Sequence, residues 1–122
     1  MIVGIGTDLI EIERIKKACE KEAFLLYAYT EEECRQAGVN HSRLAGNFAV
    51  KEAVSKVFGT GFTTFGPKDI EVLRDERGKP YVNLYGEAKR LSEQLGIRKI
   101  FVSITNTSSH AAAFAVGEGD EG

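Results

Sequence analysis

Asp8, Lys51, Glu52 and Lys56 are the side chains whose types and spacing could do chemistry in this chain. Asp8 follows a short apolar run ending in glycine, Ile2 to Gly6, and the other three share a stretch with helical patterning. A carboxylate at a strand end and another on a nearby helix can converge on a hard divalent cation. Mg²⁺ takes one or two carboxylates and completes its shell with substrate phosphates and water. Adjacent lysines would then neutralise phosphate charge. Each residue also has a plainer role. Asp8 could cap the helix that follows it, and Glu52 and Lys56 could form an ordinary i,i+4 pair on a solvated face. Spacing alone leaves both readings open.

The remaining candidates carry less. Gly4-Ile5-Gly6 lacks the third glycine of a dinucleotide fingerprint, and Gly59-Thr60-Gly61 has no trailing Gly-Lys-Ser/Thr. Ser103, His110 and Asp8 could be drawn as a triad, but no nucleophile-elbow pattern surrounds the serine. His41 and His110 read as surface or turn residues. Cys19 and Cys34 are isolated and read as free thiols rather than as a disulfide or zinc site.

The elements that must position these residues follow from periodicity. Ile2 to Gly6 reads as a buried strand presenting Thr7-Asp8 at its end. Ile12, Ile15, Cys19 and Ala23 then recur at helical spacing as a core stripe, with Arg14, Lys17 and Lys21 on another face. Thr30-Glu31-Glu32-Glu33 is a capping-box pattern opening a short helix that stops near Gly38. After a turn at Asn40-His41-Ser42, residues 43–58 read as the longest helix, closed by Gly59. That helix carries apolar residues on nearly all sides, as buried helices do, so its charges need partners. Ile70, Val72, Val82 and Leu84 flank Asp75-Glu76-Arg77-Gly78 as a hairpin, with Pro80 at a strand entry. Ala88, Leu91 and Leu95 mark a helix ended by Gly96. Two alternating strands, around Ile100-Val102-Ile104 and Ala112-Phe114-Val116, close the chain. Helices interspersed with hairpins imply an α+β class with an antiparallel sheet and a long buried helix. Residues 1–117 form one domain, and 118–122 a flexible acidic tail.

A length of 122 residues suits one domain with a modest core. The formal net charge of −2 argues against a generic nucleic-acid binder. No run is long and apolar enough to cross a membrane, and Met1-Ile2-Val3-Gly4 lacks the charged lead of a signal peptide. A cytoplasmic location is the expectation.

Four stretches, in order, resemble the bacterial holo-[acyl-carrier-protein] synthases of the 4′-phosphopantetheinyl transferase superfamily. Gly4-Ile5-Gly6-Thr7-Asp8-Leu9-Ile10-Glu11-Ile12 is similar to their opening G-I-G-x-D signature. Leu44-Ala45-Gly46-Asn47-Phe48-Ala49-Val50-Lys51-Glu52-Ala53 is similar to their L-A-G-R-F-A-x-K-E-A motif and continues through Ser55-Lys56 and Gly59-Thr60-Gly61. Gly78-Lys79-Pro80 resembles their G-K-P turn, and Val102-Ser103-Ile104-Thr105 their last signature.

The resemblance implies transfer of 4′-phosphopantetheine from coenzyme A to a serine of acyl carrier protein, for fatty acid biosynthesis. It implies an Mg²⁺ site from Asp8 and Glu52 and a catalytic role for Lys51. Lys51 and Lys56 would lie among CoA's phosphates, Gly59, Thr60, Gly61, Lys79 and Pro80 would border its nucleotide, and Thr107 would lie close by. It also implies a homotrimer with CoA between subunits. Two positions depart from the family pattern: Asn47 stands where arginine is usual, and Asn106 where histidine is usual. Both are expected to touch CoA. They motivate the alternative of a catalytically weak relative that binds CoA or carrier protein. Arg14, Lys17 and Lys21 supply a basic face for an acidic carrier protein.

Overall fold

The computed structural model describes residues 1–121. Strand β1 (Ile2–Glu11) leads into three short helices, α1 (Ile12–Ala18), α2 (Glu22–Ala28) and α3 (Glu31–Ala37), and then the long α4 (His41–Phe58). A 3-10 turn at Pro67–Asp69 precedes a hairpin of β2 (Ile70–Arg74) and β3 (Pro80–Leu84), followed by α5 (Gly86–Gln94), β4 (Ile97–Asn106) and β5 (His110–Gly119). The class is α+β with antiparallel strands, as expected. The strands divide into two sheets, β1-β5-β4 and the separate β2-β3 hairpin. α4 lies between them, packed on β1, β5 and β4 and on β2.

Local signals set the ends of the elements. Thr30 and Glu33 make the reciprocal capping box of α3, and Asn40 caps α4 by accepting from the Arg43 amide. The expected turn at residues 40–42 is therefore only its cap, and the helix begins at His41. Gly59 ends α4 in the left-handed region at φ 79°, where a Cβ would be strained. Twelve of the eighteen α4 residues are buried, so this helix is the core's axis. Its C-terminal half meets Ile70, Val72, Ala113 and Ala115, and its N-terminal half meets Ile15, Ala28, Tyr29 and Ala111.

Three expectations change. First, β1 runs on to Glu11, so Thr7 and Asp8 lie within a strand rather than at its end. Its apolar residues Ile2, Val3 and Ile5 are exposed, because Gly4 and Gly6 are the positions that face α4. Likewise Ala111, Ala113 and Ala115 of β5 face the core, while Phe114 points away. Second, the first helical stripe breaks after Ala18, which leaves Ala23 exposed and Lys21 at the start of α2. Third, β5 carries through Gly119, with Glu118 paired to Ile2 and Lys99. The expected flexible tail thus loses its first residues to the sheet, and its last, Gly122, lies outside the described residues.

Candidate active site

Two glycines bring the carboxylates together. A Cβ on Gly4 would stand 2.6 Å from the Val57 carbonyl oxygen, and one on Gly6 only 1.9 Å from that of Ala53. Only backbone without side chains lets β1 and α4 approach so closely. Asp8 is the next residue on that face of β1, one step further towards the start of α4, and it arrives beside Glu52 and Lys56. Lys56 Nζ donates to the Thr7 carbonyl at 2.8 Å and lies 3.5 Å from Asp8 Oδ1. Lys56 therefore turns to β1, and the expected Glu52–Lys56 ion pair is absent among the described residues.

Burial raises the Asp8 carboxyl above its ordinary value, against the opposing pull of Lys56. Burial also raises Glu52, and the Asp8 charge adds to the effect. Two half-buried carboxylates thus crowd each other, with one lysine to answer them. That is a strained arrangement for the protein alone and a suitable one for a cation.

Lys51 is elsewhere. Its side chain has no exposure, and its ammonium donates to Glu33 Oε1 at 2.7 Å, the Pro67 carbonyl at 2.9 Å and the Ile70 carbonyl at 2.6 Å. All three protons are used, and Tyr29 covers the group. Lys51 thus ties α3, α4 and the start of β2 together in the core, with no open N–H for a phosphate.

The nucleotide-binding candidates fall at both ends of α4. Gly59, Thr60 and Gly61 follow its C-terminus, near the Lys56 end. Asn106 lies at the other end and donates to Ser42 Oγ at 2.7 Å and to the Ser42 carbonyl at 3.0 Å. Lys79 and Pro80 belong to that end too, since Pro80 pairs with Arg74, which reaches Asn47. Thr107 Oγ1 accepts from the Ser109 and His110 amides and shapes the β4–β5 turn. Fourteen residues of helix separate Ser42 from Lys56, about 21 Å at 1.5 Å per residue. Asn47 is 2% exposed, with Nδ2 donating to the Val72 carbonyl and Oδ1 accepting from Arg74 Nη2, each at 3.2 Å. Each end of its amide has a protein partner and the side chain is buried, so Asn47 stands inside the core rather than at an open CoA surface.

Sequence reading passed over Arg74 and Arg43, and read Glu33 only as a capping residue. Their partners lie on other elements, and only the buried lysine of α4 hinted that an acid must meet it. Arg14 and Lys17 are exposed on α1, and Lys21 is exposed where α2 begins, so the basic face spans two helices. The imagined triad does not form: Ser103 pairs with outward-facing Phe114, while Asp8 faces α4.

Residues 4–115 match the 4′-phosphopantetheinyl transferase superfamily. The chain belongs to that family. Within it, the chain is 54% identical over 118 residues to a holo-[acyl-carrier-protein] synthase of Lachnoclostridium phytofermentans, covering 97% of each sequence. Its fold is similar to that of a Plasmodium yoelii acyl carrier protein synthase with ADP bound, with a TM-score of 0.89, 33% identity and coverage of 99% and 98% of the two chains. It is also similar to a Helicobacter pylori holo-[acyl-carrier-protein] synthase in complex with coenzyme A, with a TM-score of 0.83, 28% identity and coverage of 93% and 99%.

Proposed function

We propose that this protein transfers 4′-phosphopantetheine from coenzyme A to a serine of an apo acyl carrier protein, for fatty acid biosynthesis. The observation that carries the reading is the Asp8–Glu52 pair beside Lys56, in a chain whose relatives are named for this reaction and have been solved with CoA and ADP.

The serine oxygen attacks the β-phosphorus of CoA's pyrophosphate, the bond to the bridging oxygen breaks, and 3′,5′-ADP leaves. Lys56, steadied by the Thr7 carbonyl and Asp8, neutralises charge on the phosphates. Glu52, beside Asp8 and Lys56, takes the serine proton. Mg²⁺ fits the acidic pair, since hard cations take few carboxylates when phosphates supply further oxygens. When bound it supplies positive charge against the pyrophosphate oxygens.

A homotrimer goes with this reading. The outer face of β1-β5-β4 exposes Ile5 and Leu9 at 67% and Phe114 at 62%. Apolar surface of this kind marks an interface. The donor-site candidates lie at opposite ends of α4, further apart than the ribose that separates CoA's pyrophosphate from its third phosphate. One donor would therefore draw on two copies. No described helix is long and apolar enough to cross a membrane. A cytoplasmic location accords with the donor, the carrier protein and the free thiols Cys19 and Cys34.

The direct test incubates an apo acyl carrier protein with this protein, CoA and Mg²⁺ and reads the carrier's intact mass. A gain of one phosphopantetheine is expected. An unchanged mass in the presence of bound CoA would leave a binding protein instead.

A further inference from the structure

We infer that Cys34 and Cys19 are the attacking and resolving thiols of a reversible disulfide that locks the turn between α1 and α2 onto α3. They are the two cysteines of the chain, fifteen positions apart. Cys19 ends α1, where its amide donates to the Ile15 carbonyl. Cys34 lies midway along α3, its amide donating to the Thr30 carbonyl. Although α2 separates them in the chain, both side chains are half-buried against one cluster, which holds Ile15, Ala28, Tyr29 and Ala37.

The two thiols differ in access. A cavity of about 380 Å³ opens between α2, α3 and the 3-10 turn, lined by Leu25, Leu26, Tyr29, Cys34 and Lys68. Cys19 does not line it, so a small molecule seated there meets Cys34 first. Burial raises the Cys34 thiol and the Glu33 charge adds to it, while Lys51 and Lys68 pull the other way. Burial also raises Cys19, and the charge of Cys34 raises it further, a mark of how near the two sulfurs lie. The reduced form therefore gains little by ionising, and a disulfide once formed yields only to a strong reductant.

The oxidant is a low-molecular-weight disulfide. The Cys34 thiolate attacks one of its sulfurs, the S–S bond breaks and one small thiolate leaves. Cys19 then gives its proton to solvent and attacks Cys34 Sγ in the mixed disulfide, and the second small thiolate leaves. Two protein thiols are oxidised, and one small disulfide is reduced to two thiols. Cys19 lies between Arg14 and Lys21 in the chain, so the bond draws part of the basic face towards α3. That consequence for the carrier protein rests on the transferase reading.

The test treats the full-length protein with glutathione disulfide, blocks remaining thiols with iodoacetamide and reads intact mass. Wild type should lose two hydrogens, retain no glutathione, take up no label, and take up two labels after dithiothreitol. Cys19→Ser should stop with one glutathione on Cys34, and Cys34→Ser should react at least about tenfold more slowly. Leu26→Trp, at an exposed position of the cavity wall, should slow the wild-type reaction and leave the Tm of the reduced protein unchanged. The oxidised protein should melt at least about 5 °C higher, since the bond restricts the unfolded chain. Its carrier-protein KM should rise about threefold or more at low salt, with that for CoA unchanged. Wild type that keeps glutathione without closing the bond, covalent dimers in its place, or an oxidised form with Tm and carrier KM both unmoved would overturn the lock. A raised Tm on oxidation, in a protein that modifies no carrier in either form, would support the lock and count against the transferase reading.

Discussion

Gly6 of β1 and Ala53 of α4 approach so closely that a Cβ on the glycine would stand 1.9 Å from the alanine's carbonyl oxygen. This contact sets the distance between strand and helix, and with it the meeting of Asp8 with Glu52 and Lys56. Gly6→Ala must push α4 away, since backbone cannot rotate aside. We expect a stability loss of at least about 1–3 kcal/mol in urea denaturation. Transfer activity should fall by more than the unfolded fraction explains. A variant of normal stability and rate would mean that the close approach does not organise the site.

The buried pair of Glu33 and Lys51 predicts a stability effect where the sequence motif pointed to chemistry. Removing one partner leaves the other charged and buried, at a cost of about 3–5 kcal/mol. Lys51→Met should therefore lower the denaturation midpoint strongly, and Glu33→Gln/Lys51→Met together should recover much of the loss. If Lys51→Met folds normally but cannot transfer, Lys51 acts in catalysis after all.

What was legible in the sequence was local. The Thr30–Glu33 box, the Gly59 stop and the hairpin around Gly78 each depend on neighbours a few residues away, and each is where periodicity and turn chemistry put it. Asp8 and Glu52 were legible as a pair through residue type and family resemblance. The roles that sequence missed depend on long-range packing. Lys51 meets an acid eighteen positions away, and Arg74 meets Asn47 twenty-seven away. The Gly4-Ile5-Gly6 run, which lacks the third glycine of a dinucleotide fingerprint, serves helix packing. The apolar run of β1 and the alternation along β5 found the strands but not which face was buried, because alanine and glycine line the inner face and larger residues the outer.

Glu71 gives a pH dependence with a definite sign. Burial alone would raise its carboxyl, but donation from Thr30, Asn83 and Tyr85, with the Lys51 charge, outweighs burial and holds it below the ordinary 4.5. A depressed carboxylate contributes stability that is present above its unfolded value and is lost as pH falls through the folded one. Wild type should thus lose stability on acidification below about pH 4.5, more steeply than Glu71→Gln. Thermal melts from pH 7 to pH 3 check this. Parallel curves would remove Glu71 from the account of acid stability.

Arg14, Lys17 and Lys21 are exposed and carry no ion pair among the described residues, so an acidic carrier protein docking on this face would meet free charge. Reversing Arg14 and Lys21 to glutamate should raise the carrier-protein KM about tenfold at low salt and leave that for CoA nearly unchanged. The difference should shrink as salt screens the exposed charges. An unchanged carrier KM at low ionic strength would return these residues to plain solvated surface.

The central claim is that the carboxylate pair brought together by β1 and α4 carries the transfer. Single-turnover reactions of wild type, Asp8→Asn and Glu52→Gln with CoA, Mg²⁺ and apo carrier protein, read by intact carrier mass, test it most directly. Both substitutions remove charge and keep shape, so the fold should survive. The wild type should convert its carrier to the phosphopantetheinylated form, and each variant should do so at least about 100-fold more slowly. Comparable rates in all three proteins, or no mass gain from the wild type, would contradict it.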